Sequence, residues 1–116
     1  MEVWGDGLQE REFLYVHDAA DGIIRAALGS DADAINLGNG KAESIGQIAR
    51  WISQAAGFNG EIVYNQNRFV GVKTRWLDVS RAREVLGWNA ETPLQQGLQQ
   101  TVDWYAASLD ADAANG

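Results

Sequence analysis

The sequence predicts an α/β (α+β) fold, a small mixed sheet of short strands with about four helices. Two observations carry this. Short aromatic or β-branched runs alternate with stretches of helical apolar spacing, the pattern of layered α/β proteins. Each helical stretch is punctuated by a capping residue at its start or a glycine at its end. A third observation bounds the size: 116 residues, 46% of them hydrophobic, are enough for one core.

The elements follow in order. Glu2–Trp4 is a short run ending in Gly5-Asp6-Gly7, a turn signal. Phe13–Val16 has strand composition and is expected to pair with the first run as a hairpin or extended corner. Asp18, with Asp21 three positions on, reads as the N-cap of a first helix, negative charge at its positive end. Ile23, Ile24, Ala27 and Leu28 form its expected buried stripe, and Gly29 its stop. Ala34–Leu37 reads as a strand and Gly38-Asn39-Gly40 as a turn. Ser44 and Gln47 make a capping box that opens a second helix. Its apolar face is Ile45, Ile48, Ala49, Ile52, Ala55 and Ala56, Gly57 is its left-handed stop, and Phe58 is expected to fold back onto the last turn.

Glu61–Tyr64 reads as another strand, 65–73 as a polar loop and Arg75–Leu77 as a short extended piece. Asp78 or Ser80 caps a third helix carrying Val79, Ala82, Val85 and Leu86 and ended by Gly87. Thr92, Pro93 and Gln95 supply the cap, the first helical residue and a second capping box for a fourth helix. Leu94, Leu98, Val102, Tyr105 and Leu109 lie on or near one of its faces. Gly97 weakens this helix by roughly 1 kcal/mol relative to alanine, which implies close packing against it. Residues 110–116, small and acidic, read as a frayed, disordered tail after a single domain over 1–109.

Composition excludes whole classes of function. Lys+Arg is 9 against Asp+Glu 16, a net charge of −7, which argues against nucleic acid or an anionic membrane as partner. With no cysteine and one histidine, His17, neither thiolate nor multi-histidine metal sites can form. No apolar run approaches the roughly 20 residues of a membrane span, and the start lacks a basic-then-apolar leader; a cytoplasmic location is the expectation. His17 beside Asp18 reads as structural or exposed rather than as a general base, which needs a partner and a substrate proton in reach. Carboxylates paired for glycoside chemistry are not evident. Gly38-Asn39-Gly40 sits between strand and helix like a dinucleotide fingerprint, but Glu43 occupies the third glycine position and would repel a pyrophosphate. A plain turn is the better interpretation. Trp4, Trp51, Trp76, Trp88 and Trp104 sit mostly where apolar packing is wanted.

Four basic residues stand out: Arg11 and Arg75, with Arg68 and Lys73 as further loop candidates. Cations beside element ends in an acidic chain are candidate anion ligands, and arginine's planar fork suits a diphosphate. The competing explanation is surface ion pairing with Glu10, Glu12 or Asp78, and the local sequence does not choose between the two.

The run W-G-D-G-L-Q-E-R-E-F-L-Y-V-H-D-A-A-D-G resembles the start of the C-terminal half of extended short-chain dehydrogenase/reductases, the NAD(P)-dependent nucleotide-sugar epimerases, dehydratases and reductases. The resemblance continues in order through I-N-L-G-N-G (35–40), S-I-G-Q-I-A (44–49), G-F-N-G-E-I-V-Y (57–64), R-W-L-D-V-S-R-A (75–82), L-G-W (86–88) and T-P-L-Q-Q-G-L-Q-Q-T-V-D-W-Y (92–105). It is most similar to the GDP-L-fucose synthases, through G-F-x-G-E-I-V, L-D-V-S-R and D-W-Y. The resemblance implies a partial extended-SDR fold lacking the N-terminal Rossmann domain. It implies nucleotide-sugar binding (GDP-, UDP- or dTDP-), with Arg11 and Arg75 on the diphosphate. Phe69-Val70-Gly71-Val72-Lys73 stands where fucose synthases carry P-D-G-T-P, and His17 replaces a common acidic residue.

The family's cofactor is NAD(P), held by an N-terminal glycine fingerprint, and its chemistry uses Tyr-x-x-x-Lys. The positions four after Tyr15, Tyr64 and Tyr105 are Ala19, Arg68 and Leu109. The resemblance therefore implies no cofactor site in this chain and no hydride transfer by it alone. It also implies uncovered apolar faces, and hence a homo-oligomer or association with a separate dinucleotide-binding chain. Two alternatives stand beside a sugar-nucleotide-binding portion: a repurposed binding or oligomerisation module, and one chain of a split enzyme.

Overall fold

The structure, a computed structural model, describes residues 1–29 and 34–115. Its elements are β1 (Glu2–Trp4), β2 (Glu10–Glu12), α1 (Val16–Gly29), β3 (Ala42–Ser44), α2 (Ile45–Ala55), β4 (Val63–Asn65), β5 (Thr74–Arg75), α3 (Ser80–Leu86) and α4 (Leu94–Asn115). The predicted α/β class and the four helices are present. The strands form two small sheets: a parallel pair β1-β4, and a mixed sheet in the order β3-β2-β5. In the second, β2 is antiparallel to β3 and parallel to β5.

Of the two expectations for this stretch, a hairpin or an extended corner, the hairpin does not form: β1 and β2 lie in different sheets. Gly5 and Gly7 adopt positive φ of 84° and 76°, conformations glycine reaches without a Cβ clash, and they turn the chain from one sheet to the other. β1 pairs with β4 instead, Glu2 opposite Val63. The strand placed at Phe13–Val16 lies at Glu10–Glu12, and Val16 already opens α1. Ladder partners decide here: the β3 and β5 backbones meet Glu10–Glu12, whatever the propensity of the next residues. The strand expected at Glu61–Tyr64 shifts to Val63–Asn65 for the same reason, and the Arg75–Leu77 piece to Thr74–Arg75. Ala34–Leu37 forms no strand, and the short β3 was not foreseen.

Asp18 is not an N-cap. It lies inside the first turn of α1, and its two carboxylate oxygens accept from the Thr92 backbone N–H and hydroxyl, both at 3.0 Å. The Thr92 hydroxyl is thereby a donor to α1 rather than the expected cap of α4, whose first turn closes through Gly97 N–H to the Pro93 carbonyl. Ser44 does cap α2, accepting from Gln47 N–H at 3.2 Å. Gly57 ends that helix at φ 62°. Phe58 N–H returns to the Ser53 carbonyl, while the Phe58 ring lies over Gly60. Asp78 Oδ1 accepts from both Ser80 N–H and Ser80 Oγ at the head of α3, and Gly87, at φ 58°, closes its end. α4 continues to Asn115, through positions whose composition suggested a tail; Gly116 lies outside the described residues.

The core is small: Val3, Ile48, Ala49, Val79, Ala82 and Trp88. Trp88, 1% exposed, packs under α1 at Gly22, where a Cβ would stand 2.9 Å from the ring. This contact, not the predicted stripe, is the buried side of α1. Ile23, Ile24 and Leu28 are exposed, Leu28 at 84%, and Ala27 with them. α4 packs on α2, yet Tyr105 and Leu109 at its far end are exposed. Trp4, Trp76 and Trp104 are more than half exposed, so of the five tryptophans only Trp88 is core. The Cα radius of gyration, 17.0 Å, exceeds the ~13 Å of a self-contained domain of this length. The molecule is a thin slab, 21 Å in its least dimension, and among the described residues apolar side chains of α1 and α4, Ile23, Ile24, Leu28, Tyr105 and Leu109, look outward.

Candidate functional site

β2 positions the site. Its Arg11 is paired in register with Arg75 of β5 on one side and Glu43 of β3 on the other. Directly opposed residues in a sheet project from the same face. Glu43, Arg11 and Arg75 therefore form one row, while Glu10 and Glu12 project from the opposite face. Two residues 64 positions apart in the chain become neighbours through a ladder of two residue pairs.

The two arginines are held differently. Arg11 is braced: Nη1 donates to the Glu10 carbonyl at 2.7 Å and Nη2 to the Val70 carbonyl at 2.9 Å. Three of its five N–H donors remain available. Arg75 is exposed and, among the described residues, makes no side-chain hydrogen bond or ion pair. The competing explanation, ion pairing with nearby carboxylates, does not hold for either residue among the described ones. Glu10 Oε2 accepts from Thr74 Oγ1 at 3.0 Å. Glu12 accepts from the Gly40 and Leu77 backbone N–H groups. Asp78 is taken up by Ser80; the backbone and side-chain hydrogen bonds from Ser80, with Arg83 nearby, hold its carboxyl below the ordinary range against a small opposing burial effect.

Arg11 lines two cavities. One, of about 250 Å³, is walled by Arg11, Arg75, Glu12, Gly38, Trp76 and Leu77 among others. The other, about 540 Å³, has apolar walls from α2 (Ile45, Ile48, Ile52) and from Phe69 and Val70, with Glu2, Gln9 and Arg11 as polar members. Binding sites for small molecules are of this kind, mostly apolar with a few fixed polar groups. Arg68 and Lys73 line neither cavity. Arg68 stacks on Trp4, 5.1 Å from the ring centroid, and Lys73 uses its carbonyl to accept Glu10 N–H. Phe69 and Val70, noted in the sequence only as a departure from P-D-G-T-P, are the loop residues at the site. Glu12 was noted only as an ion-pair candidate. Its signal was the strand alternation around Arg11, which sets it on the other face.

His17 is exposed with its ring 5.0 Å from that of Tyr15, and Asp18 is occupied by Thr92, so the site holds no carboxylate–histidine pair. At the Gly38–Gly40 turn the Gly40 N–H, at φ 70°, faces the Glu12 carboxylate. Among the described residues no helix is long and apolar enough to cross a membrane.

Comparison with known proteins gives this geometry a context. The family model of GDP-mannose 4,6 dehydratase matches residues 1–101. A UDP-glucuronic acid decarboxylase 1 of Xenopus tropicalis is 34% identical over 115 residues, 99% of this chain and 27% of that protein. A probable GDP-L-fucose synthase 1 of Oryza sativa subsp. japonica is 33% identical over 108 residues, 92% of this chain and 33% of the relative. Among solved structures, UDP-glucose 4-epimerase of Thermotoga maritima with UDP-glucose superposes with a TM-score of 0.86 at 29% identity, over 94% of this chain and 35% of that one. A GDP-L-fucose synthetase from Naegleria fowleri bound to NADP gives 0.87 at 27% identity, over 94% and 35%. The chain thus spans about a third of the length of the curated relatives it matches.

Proposed function

The chain belongs to the GDP-mannose 4,6 dehydratase family of extended short-chain dehydrogenase/reductases, and from that premise we propose that it is the nucleotide-sugar-binding portion of an NAD(P)-dependent sugar-nucleotide epimerase or reductase. Arg11 and Arg75 grip the diphosphate. The observation that carries this is their in-register pairing on one sheet face, with the existing hydrogen bonds of Arg11 leaving three donors to share. The larger cavity, within the 300–1,000 Å³ typical of ligand pockets, takes the nucleoside end. Arg68 and Lys73 act from the loop edge, meeting the ligand through its charge rather than through the cavity walls.

Hydride transfer requires a cofactor held against the sugar. These residues supply neither a glycine fingerprint nor Tyr-x-x-x-Lys, so they bind substrate without turning it over. The exposed Ile23, Ile24 and Leu28 of α1 support association with a second copy or with a separate dinucleotide-binding chain, the split-enzyme alternative. The Phe69–Lys73 loop, unlike P-D-G-T-P, supports the other alternative, a scaffold kept for assembly. An amide-resolved NMR titration with GDP-, UDP- and dTDP-sugars separates these. Saturable shifts clustered at Arg11 and Arg75 are expected; silence with all three would end the diphosphate assignment in favour of assembly. Sedimentation showing a monomer at high concentration would count against self-association.

A further inference from the structure

We propose that Glu12 is a positioning residue of the two-arginine site: its carboxylate clamps β5 against β2 and so sets Arg75 opposite Arg11. The proposal rests on the diphosphate grip argued above. Arg75 has no side-chain bracing among the described residues, so its place depends on its backbone. That backbone is held to β2 by a strand of only two residues, Thr74–Arg75, and the pairing ends at Arg75 itself. A ladder so short frays unless it is tied on both sides. Upstream, Glu10 N–H donates to the Lys73 carbonyl at 2.8 Å and Thr74 Oγ1 to Glu10 Oε2. Downstream the tie is Glu12: Oε2 accepts from Leu77 N–H at 2.7 Å, two residues past Arg75, and Oε1 accepts from Gly40 N–H. Both are charge-assisted bonds to backbone donors, stronger than neutral ones.

The surroundings fit this role. The Gly38–Gly40 turn lies against the carboxylate so closely that a Cβ at Gly38 would collide with Glu12 Oε1. Alternation along β2 sends the Glu12 side chain away from the Arg11 face. A carboxylate can therefore sit one residue from Arg11 without forming an ion pair with it, and leave the guanidinium charge for a ligand. Glu12 also borders the cavity of about 250 Å³ that Arg11 and Arg75 line, where its negative charge opposes an anion, so a loss of affinity on removing it reports the spacing of the two arginines.

The test uses two variants that disturb the clamp by different routes. Glu12→Ala removes the carboxylate. Gly38→Ala keeps the charge and displaces it, at a position whose φ is not positive. Ligand-free amide hydrogen exchange reads the clamp, and titration with GDP and UDP, each against its monophosphate, reads the grip. In both variants Leu77 and Gly40 amides are expected to exchange at least tenfold faster. Diphosphate affinity should fall about tenfold and monophosphate affinity much less, because one arginine suffices for a single phosphate. The double variant should be no worse than Glu12→Ala. Unchanged signals of the buried Trp88 would certify the fold, and Gly38→Ala carries the test should Glu12→Ala not fold. Faster exchange with an undiminished preference for diphosphate would overturn the proposal, as would unchanged exchange. A wild-type chain that binds no diphosphate while the variants exchange faster would leave the clamp standing and remove the diphosphate assignment instead.

Discussion

Replacing each arginine by alanine should weaken diphosphate binding, and by unequal amounts. A charge-assisted hydrogen bond contributes about 1.5–3 kcal/mol, so each loss is worth roughly 10–150-fold in affinity. The structure sets the order. Arg11 is already fixed by the Glu10 and Val70 carbonyls, so little of the roughly 2 kcal/mol of rotamer entropy of an arginine remains to be lost on binding. Arg75 has no such bracing among the described residues and loses that freedom when it engages. Arg11→Ala also releases Val70, a wall of the larger cavity. We therefore expect Arg11→Ala near the upper end, about 3 kcal/mol, and Arg75→Ala near the lower end, about 1.5 kcal/mol. Calorimetric or NMR titration with GDP and UDP at fixed ionic strength would measure both. Equal affinity in the three proteins would refute the site, and a larger loss at Arg75 would refute the bracing argument.

Other outcomes follow from single contacts. Glu43→Gln, which removes the negative end of the row beside Arg11, should tighten anion binding by about 2–5-fold, less at high salt, since an exposed charge pair is worth about 0.2–1 kcal/mol and is screened. Anion titrations at two ionic strengths would show it; no change at low salt would mean Glu43 does not reach the anion. Gly97→Ala should gain roughly 1 kcal/mol of helix propensity but force a Cβ to within 2.9 Å of Tyr15 Cδ2 and 3.0 Å of its Cβ and Cγ, atoms near the backbone that cannot swing away. Overpacking costs about 1–3 kcal/mol, so urea denaturation should show a net loss of up to about 2 kcal/mol, and a net gain would show that Tyr15 yields. Asp78 should titrate below the ordinary carboxylate range. A depressed folded value stabilises above the unfolded value and is lost as pH falls through the folded one, so the Asp78–Ser80 hydrogen bonds should persist to lower pH than those of an ordinary carboxylate. In a carboxyl-detected titration Ser80→Ala should raise the Asp78 midpoint without abolishing the shift, because the Ser80 N–H bond remains.

Local chemistry was legible in the sequence wherever a residue answers to its neighbours alone. Ser44 caps α2, Gly57 and Gly87 end their helices in left-handed turns, and Gly97 marks a close approach, now identified as Tyr15. The ordered motifs gave the family; residue type marked Arg11, Arg75, Arg68 and Lys73 as candidate anion ligands without deciding against surface ion pairing, and it was the resemblance that put Arg11 and Arg75 on a diphosphate. What the sequence could not supply was pairing. Which backbone β2 meets is settled by β3 and β5, whose residues opposite Arg11 are Glu43 and Arg75, so the strand moved to Glu10–Glu12 and, of the hairpin or extended corner expected, the hairpin gave way to two sheets. The same pairing brought Arg11 opposite Arg75, and turned Glu12 from an ion-pair candidate into a backbone clamp. Burial was likewise a tertiary decision. The apolar stripe of α1 has helical periodicity, but periodicity says only that a face wants covering. Trp88 covers Gly22 instead, and Ile23, Ile24 and Leu28 stay exposed, with Val85 and Leu86 of α3 only bordering an open cleft beside Ile24 and Leu28.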